Sequence, residues 1–213
     1  MNEGPLAIAV PKGRILKALA PLFSRAGLDV SPLVADDRRL VRDDAAGRLR
    51  YVFLKPDDVP TYVEYGAVDL GIAGRDTLLE KKADLYTPLD LGIGRCRLAV
   101  AGPRGKKAPD LPRVATKYPR IAAEFFAKKG IQAEVIAVSG SVELAPLVGL
   151  SDLIVDVVET GKTLEENDLE VLETVAEVST MLIANRAAYK LRAAEIRPLC
   201  EAIGRAVAEG APA

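Results

Sequence analysis

Four strand-to-helix junctions in this chain carry residue types suited to holding phosphorylated ligands. The richest is LIVDVVETGKT, residues 153–163, in which an apolar strand runs to Asp156, Glu159 follows, and Thr160, Gly161, Lys162 and Thr163 open a helix. Successive backbone N–H groups, two threonine hydroxyls and a helix N-terminus together form an anion nest. Gly161 lets the backbone come close to a phosphate, and a carboxylate at the strand end accepts hydrogen bonds from sugar hydroxyls. The pattern suits a ribose 5-phosphate; the plainer alternative is a threonine-capped helix beside a solvated glutamate. The GxxxxGK[ST] spacing of a P-loop is absent.

The second junction is Pro11, Lys12, Gly13 and Arg14, after an apolar strand at Leu6–Val10 and before a helical pattern. Two cations at a helix N-terminus oppose the dipole, so either they are incidental charges on a solvated turn or a bound polyphosphate compensates both. The third, SGSVELAP at 139–146, places Ser141 ahead of Glu143 in a partial capping arrangement, and capping alone accounts for it. The fourth, GIAGRD at 71–76, presents Arg75 and Asp76 after Gly74. Open α/β sheets bind ligands at the carboxyl ends of their strands, so four such junctions say more together than any one alone.

The chain contains no histidine among its 213 residues. That excludes an imidazole general base, Ser-His or Cys-His nucleophile pairs and His-ligated metals. Chemistry is left to carboxylates, Lys, Arg, Tyr, backbone N–H groups and an oxygen-bound cation. With 29 basic and 30 acidic residues there is no strong basic field, which argues against a nucleic-acid binder. Cys96 and Cys200 have neither metal-site nor redox spacing and read as reduced thiols. The first residues lack a basic n-region, and no apolar run reaches membrane-spanning length. A cytoplasmic protein without membrane association is the expectation.

At about 100–200 residues per domain, the length allows one large domain or two small ones. Short apolar runs alternate with amphipathic stretches. Strands are expected at Leu6–Val10, Asp36–Leu40, Leu49–Leu54, Val68–Ala73, Leu98–Ala101, Arg113–Thr116, Glu134–Val138, Leu153–Val157 and Met181–Ala184. Helices are expected at Ile15–Ala26, from Val59 behind an Asp58 cap, at Thr77–Lys82 behind an Asp76 cap, at Pro119–Lys129, Ser141–Val148, Thr163–Asn167 and from Ala188 to about Ala208. The alternation predicts an α/β fold with mainly parallel sheets.

LAIAVPKGR, VPTYVEYGAVDLGIAGRDTLLE, VATKYP, SGSVELAPLVGLSDLIVDVVETGKTL and TMLIANRAAYK occur in that order from about residue 6 to 190. Together they resemble the ATP phosphoribosyltransferase family. The resemblance implies transfer of a phosphoribosyl group from 5-phosphoribosyl 1-pyrophosphate (PRPP) to N1 of ATP, with Mg²⁺, in the first step of histidine biosynthesis. It implies two α/β domains around a cleft, of the periplasmic-binding-protein type II kind, with the chain crossing between them twice. One domain is expected at 1–95 plus 180–213 and the other at 96–179, with crossings in strands at Gly92–Leu98 and Ser179–Asn185. A single helix is expected after Tyr189, without a further regulatory domain. The resemblance is therefore to the short form, which pairs as a homodimer and joins a regulatory subunit similar to histidyl-tRNA synthetase in a hetero-octamer.

Carried over by position, Asp156 and Glu159 fall where the family holds the PRPP ribose, and Thr160, Gly161, Lys162 and Thr163 where it cradles the 5-phosphate. Lys12, Gly13 and Arg14 match its nucleotide and pyrophosphate loop. Arg39 matches a basic position facing the cleft, with Arg38 beside it. Ser141 and Glu143 match the GSVE turn, and Gly74 and Asp76 a loop near the nucleotide. The resemblance assigns catalytic roles to Arg14, Arg39 and Asp156. Two other functions fit such a fold: a solute-binding or effector-sensing module, and a catalytically silent regulatory paralogue.

Overall fold

The computed structural model describes residues 4–210. In chain order the elements are β1 (Leu6–Pro11), α1 (Arg14–Arg25), α2 (Ser31–Val34), β2 (Val41–Asp43), β3 (Leu49–Leu54), α3 (Val59–Glu64), β4 (Leu70–Gly74), α4 (Arg75–Lys81) and β5 (Tyr86–Asp90). There follow β6 (Cys96–Pro103), β7 (Arg113–Thr116), α5 (Pro119–Lys128), β8 (Glu134–Ala137), α6 (Leu144–Leu147), β9 (Leu153–Val158), α7 (Lys162–Glu166) and β10 (Leu169–Val178). β11 (Thr180–Ala184), α8 (Arg186–Leu191) and α9 (Ala193–Glu209) complete the described chain. None of these helices is long and apolar enough to cross a membrane.

The residues separate into two compact units. One holds the chain up to Gly94 and from Ser179 onward; the other is Arg95–Val178. The first is built on a six-stranded sheet ordered β2-β3-β1-β4-β11-β5. One face of this sheet packs Ile8, Val10, Tyr51 and Ile72 against Leu19 and Phe23 of α1 and Ile196 and Ile203 of α9. The other packs Ala9, Ala73 and Ile183 against Val59 and Val63 of α3. Gly71 makes that second contact possible, since a Cβ there would lie 2.6 Å from Val63 Cγ2 and 2.8 Å from Val59 Cγ1. The second unit has a five-stranded sheet ordered β10-β6-β9-β7-β8. α5 covers one face through Ala122 and Phe126. α6 and α7 cover the other through Ala145 and Leu164, over Ala99, Ala101, Ala115 and Ile154.

Both sheets are mixed rather than mainly parallel. β1 runs parallel to β3 and β4, and β7 to β8 and β9. β2–β3, β4–β11, β5–β11, β6–β9 and β6–β10 are antiparallel. A buried apolar run carries no mark of strand direction, so the alternating pattern could not separate the two.

Several local expectations need correction. No strand forms at Asp36–Leu40, because Asp37 instead accepts from the Arg39 backbone N–H and from the Arg39 and Arg42 side chains. This local competition with the ladder delays the strand to Val41. Asp58 does not cap α3: it lies in a 3₁₀ turn, Pro56–Asp58, with helical φ and ψ. Asp76 sits inside the first turn of α4 rather than at its cap, which is Gly74. The final helix is two: Asn185 caps α8 by accepting from Ala187 and Ala188 N–H, and Arg192 separates α8 from α9.

Several ion-paired carboxylates define an acid limb of stability. Hydrogen bonds from Arg113 lower Asp152, those from Arg192 lower Glu195, and those from Arg39 bring Asp37 down to about 2. Each folded-state value is depressed, so the unfolded chain binds more protons. Stability from these pairs is present above the ordinary carboxylate range and is lost as pH falls through the folded values. Because these pairs are solvent-screened, the thermal midpoint is expected to hold from about pH 7 to about pH 5 and to fall only modestly below about pH 4 on their account. Arg113→Met should flatten that limb, as read by melting curves across the pH series.

Candidate active site

The chemistry-bearing junctions gather, within each unit, at the carboxyl ends of parallel strands. In the first unit β1 and β4 are neighbours, with Ala9 beside Gly71, so Lys12–Arg14 and Gly74–Asp76 leave the same sheet edge. In the second, β9, β7 and β8 end side by side, bringing Glu159–Thr163 and Ser139–Glu143 to one edge.

The first loop is held by its backbone. Lys12 N–H donates to Leu54 O at 2.9 Å, which ties the turn to β3. Gly13 then takes φ +103°, a left-handed conformation favouring glycine, and α1 begins at Arg14. Lys12, Gly13 and Arg14 are all exposed, and the first turn of this twelve-residue helix contains no acidic residue. Helix-start N–H groups, a positive dipole end and two cations make this turn receptive to a polyanion. At the opposite end of the same sheet, a cavity of about 580 Å³ opens beside Pro5, Leu6, Leu49 and Leu199, remote from these strand ends.

At the second loop, Asp156 is half-buried on β9, its Oδ1 accepting Val157 N–H at 2.8 Å. Glu159, Thr160, Lys162 and Thr163 are exposed. Gly161 adopts φ +80° and Lys162 N–H faces Thr160 Oγ1 at 3.4 Å. α7 has only five residues. Its dipole is correspondingly small, so any anion here depends on the loop N–H groups and hydroxyls rather than on the helix expected from sequence.

At the β4–α4 junction, Asp76 folds back over Gly74: a Cβ on Gly74 would lie 2.1 Å from Asp76 Oδ1. At the β8–α6 junction the capping arrangement fails, because neither Ser141 nor Glu143 caps α6 with its side chain. Ser141 instead takes φ +47°, a strained conformation for a residue with a Cβ. Val142 is buried beneath it and fixes the turn. Ser141→Gly is therefore expected to leave the thermal midpoint unchanged or higher. Ser141→Val should cost roughly 1–2 kcal/mol, because a β-branched residue resists positive φ; denaturant titration of both variants checks this.

Arg39 lies in the turn before β2, with its side chain 73% exposed. Its Nε and Nη2 donate to Asp37 Oδ2 at 2.9 and 2.7 Å. The structure thus brings Arg39 to a carboxylate partner that sequence spacing did not reveal, while Arg38 beside it is exposed. Lys117, in the VATKYP stretch, follows β7 between the two loop-bearing strands and is half-buried. Among the described residues there is no group of three or more Cys, Asp or Glu that could hold a metal ion.

Comparison with known proteins places the chain in one family. The profile of the family HisG, ATP phosphoribosyltransferase, matches residues 55–205. The chain is 74% identical over 204 residues to ATP phosphoribosyltransferase of Sorangium cellulosum, covering 96% of this chain and 97% of that one. It is 49% identical over 208 residues to the protein of that name from Geobacter metallireducens, covering 95% and 98%. A solved chain from the ATP phosphoribosyl transferase (HisG:HisZ) complex of Thermotoga maritima superimposes with a TM-score of 0.84 at 33% identity, covering 96% of this chain and 99% of that one. The two mixed α/β units accordingly have the periplasmic-binding-protein type II fold expected from the sequence. This chain belongs to the ATP phosphoribosyltransferase family.

Proposed function

We propose that this chain transfers the 5-phosphoribosyl group of PRPP to N1 of ATP and releases pyrophosphate, the first step of histidine biosynthesis. Family membership along almost the whole chain is the observation that carries this conclusion. Asp156 and Glu159 hold the ribose hydroxyls, and Thr160–Thr163 the 5-phosphate. Lys12, Gly13 and Arg14 take the nucleotide and pyrophosphate side, with Gly74, Asp76, Ser141 and Glu143 near the nucleotide. The unit containing Lys12–Arg14 then carries the nucleotide and pyrophosphate loop, and Arg95–Val178 the PRPP-binding loop.

The reaction is an in-line displacement. The N1 lone pair forms the N1–C1 bond while the C1–O bond to pyrophosphate breaks, its electrons leaving on pyrophosphate. Neutral adenine already offers that lone pair, so no imidazole base is required. What the protein supplies is placement of two polyanions and cationic stabilisation of the leaving group by Arg14 and Arg39. For Arg39 this requires exchange of Asp37 for the substrate. Mg²⁺ supplies further neutralisation of the diphosphate when bound. Its preference for phosphate oxygens and water would let the diphosphate carry it.

We further propose a cytoplasmic homodimer of this chain that joins a regulatory subunit resembling histidyl-tRNA synthetase in a hetero-octamer. The near-complete coverage of a chain from a HisG:HisZ complex supports it. Full-length chain given ATP, PRPP and Mg²⁺ should release pyrophosphate only when both substrates are present. Binding of PRPP and ATP without any release, with the partner subunit also added, would identify a binding module or a silent paralogue instead.

A further inference from the structure

We propose that Arg97 is a further substrate-binding residue, donating to the 5-phosphate of PRPP; the proposal rests on the assignment of Thr160–Thr163 to that phosphate. Arg97 lies on β6, opposite Val158 of β9, and two residues further on Ala99 stands opposite Asp156. Register partners of an antiparallel pair share a sheet face, with diagonal neighbours about 7–8 Å apart. Arg97, Val158, Ala99 and Asp156 therefore face one way, toward α7, whose Leu164 packs with Ala99 and Val158.

A cavity of about 180 Å³ is lined by Arg97, Arg104, Thr160, Gly161, Glu165 and Glu170. Of its two glutamates, Glu170 is already engaged, its Oε1 accepting Gly105 N–H at 2.8 Å. The Arg97 guanidinium makes no hydrogen bond or ion pair among the described residues, although Glu177 is its register partner on β10. A guanidinium with no protein partner, beside a left-handed glycine and a threonine hydroxyl, offers a planar fork that matches two phosphate oxygens. The anion belongs beside Thr160 and Gly161, whose hydroxyl and N–H donors line the same cavity as that fork.

The test uses the full-length chain and two probes, ribose 5-phosphate and inorganic pyrophosphate, titrated calorimetrically. Arg97→Ala should weaken ribose 5-phosphate binding about 10–100-fold and leave pyrophosphate binding unchanged, with the KM for PRPP raised and that for ATP unaffected. Arg97→Lys should recover part of the loss, because charge is kept while the fork is not. Unchanged ribose 5-phosphate affinity in Arg97→Ala, or equal weakening of both probes, would overturn the proposal. Thr160→Val and Gly161→Val run alongside. If they too leave ribose 5-phosphate binding intact, the assignment of the loop fails; if they weaken it and Arg97→Ala does not, only the role of Arg97 fails.

Discussion

Arg14→Ala is expected to lower kcat/KM about 10²–10³-fold, the scale of removing one preorganised donor to developing negative charge. The effect should appear in kcat more than in the KM for ATP, because pyrophosphate gains charge only as the C1–O bond breaks. Folding should be little affected. Arg14 is exposed at the first position of α1, where a cation opposes the dipole and no acidic residue shares the turn. Arg14→Lys should recover less than a tenth of the lost rate, since an ammonium replaces the charge without the bidentate geometry. Steady-state kinetics of both variants, with melting curves as the folding control, decide it.

The second large effect is on stability. Arg192 and Asp69 form an ion pair at 2.8 Å with side chains only 8% and 11% exposed. Asp69 Oδ2 also accepts Ala7 N–H at 2.8 Å. Arg192 additionally donates to Gly4 O at 2.9 Å and to both oxygens of Glu195 at 2.9 and 2.6 Å. One guanidinium thus joins the start of β1, the residue before β4 and the first turn of α9. Arg192→Met leaves the buried Asp69 charge without its counter-ion and is expected to cost about 3–5 kcal/mol. For a chain of this size that lowers the thermal midpoint by roughly 10 °C. Asp69→Leu combined with Arg192→Met should restore most of the loss, because a buried pair replaced by apolar groups is often neutral. A double-mutant cycle by denaturant titration separates these outcomes.

The same arginine explains why one expected helix is two. From Ala188 onward the periodicity is continuous, but Arg192 reaches a carboxylate 123 positions earlier and takes φ −110° and ψ 28° to do so. No window of local sequence contains that partner. β10 was missed for a different reason. Its register with β6 shifts between Val171 and Glu173 and again between Thr174 and Ala176, which destroys the period-two alternation that marks a strand. β5 carries Pro88, which demotes a strand on sight, yet it lies at the sheet edge where a missing N–H is tolerated.

The strand-end loops were far more legible. Apolar runs at Leu6–Pro11 and Leu153–Val158 are buried strands, and the residues after each fall at carboxyl ends of parallel neighbours. Glycine marked the turns for a stated physical reason, with Gly13 and Gly161 both at positive φ. Two details were hidden. Residues 36–40 were expected as a strand, but the pairing of Arg39 with Asp37 depends on side-chain reach in a turn. Arg97 occupies an ordinary strand position, and only the register with Val158 sets it beside Gly161.

The absent imidazole becomes informative once the reaction is specified, because attack by an unprotonated ring nitrogen needs no base. Structural identification of the product tests that claim most directly. Full-length chain, with its partner subunit where required, is incubated with ATP labelled with ¹⁵N at N1, PRPP and Mg²⁺, and the adduct is analysed by NMR. A one-bond coupling between labelled N1 and the ribose anomeric carbon is predicted. Formation of no adduct, or of one joined through another nitrogen or through a phosphate oxygen, would contradict it.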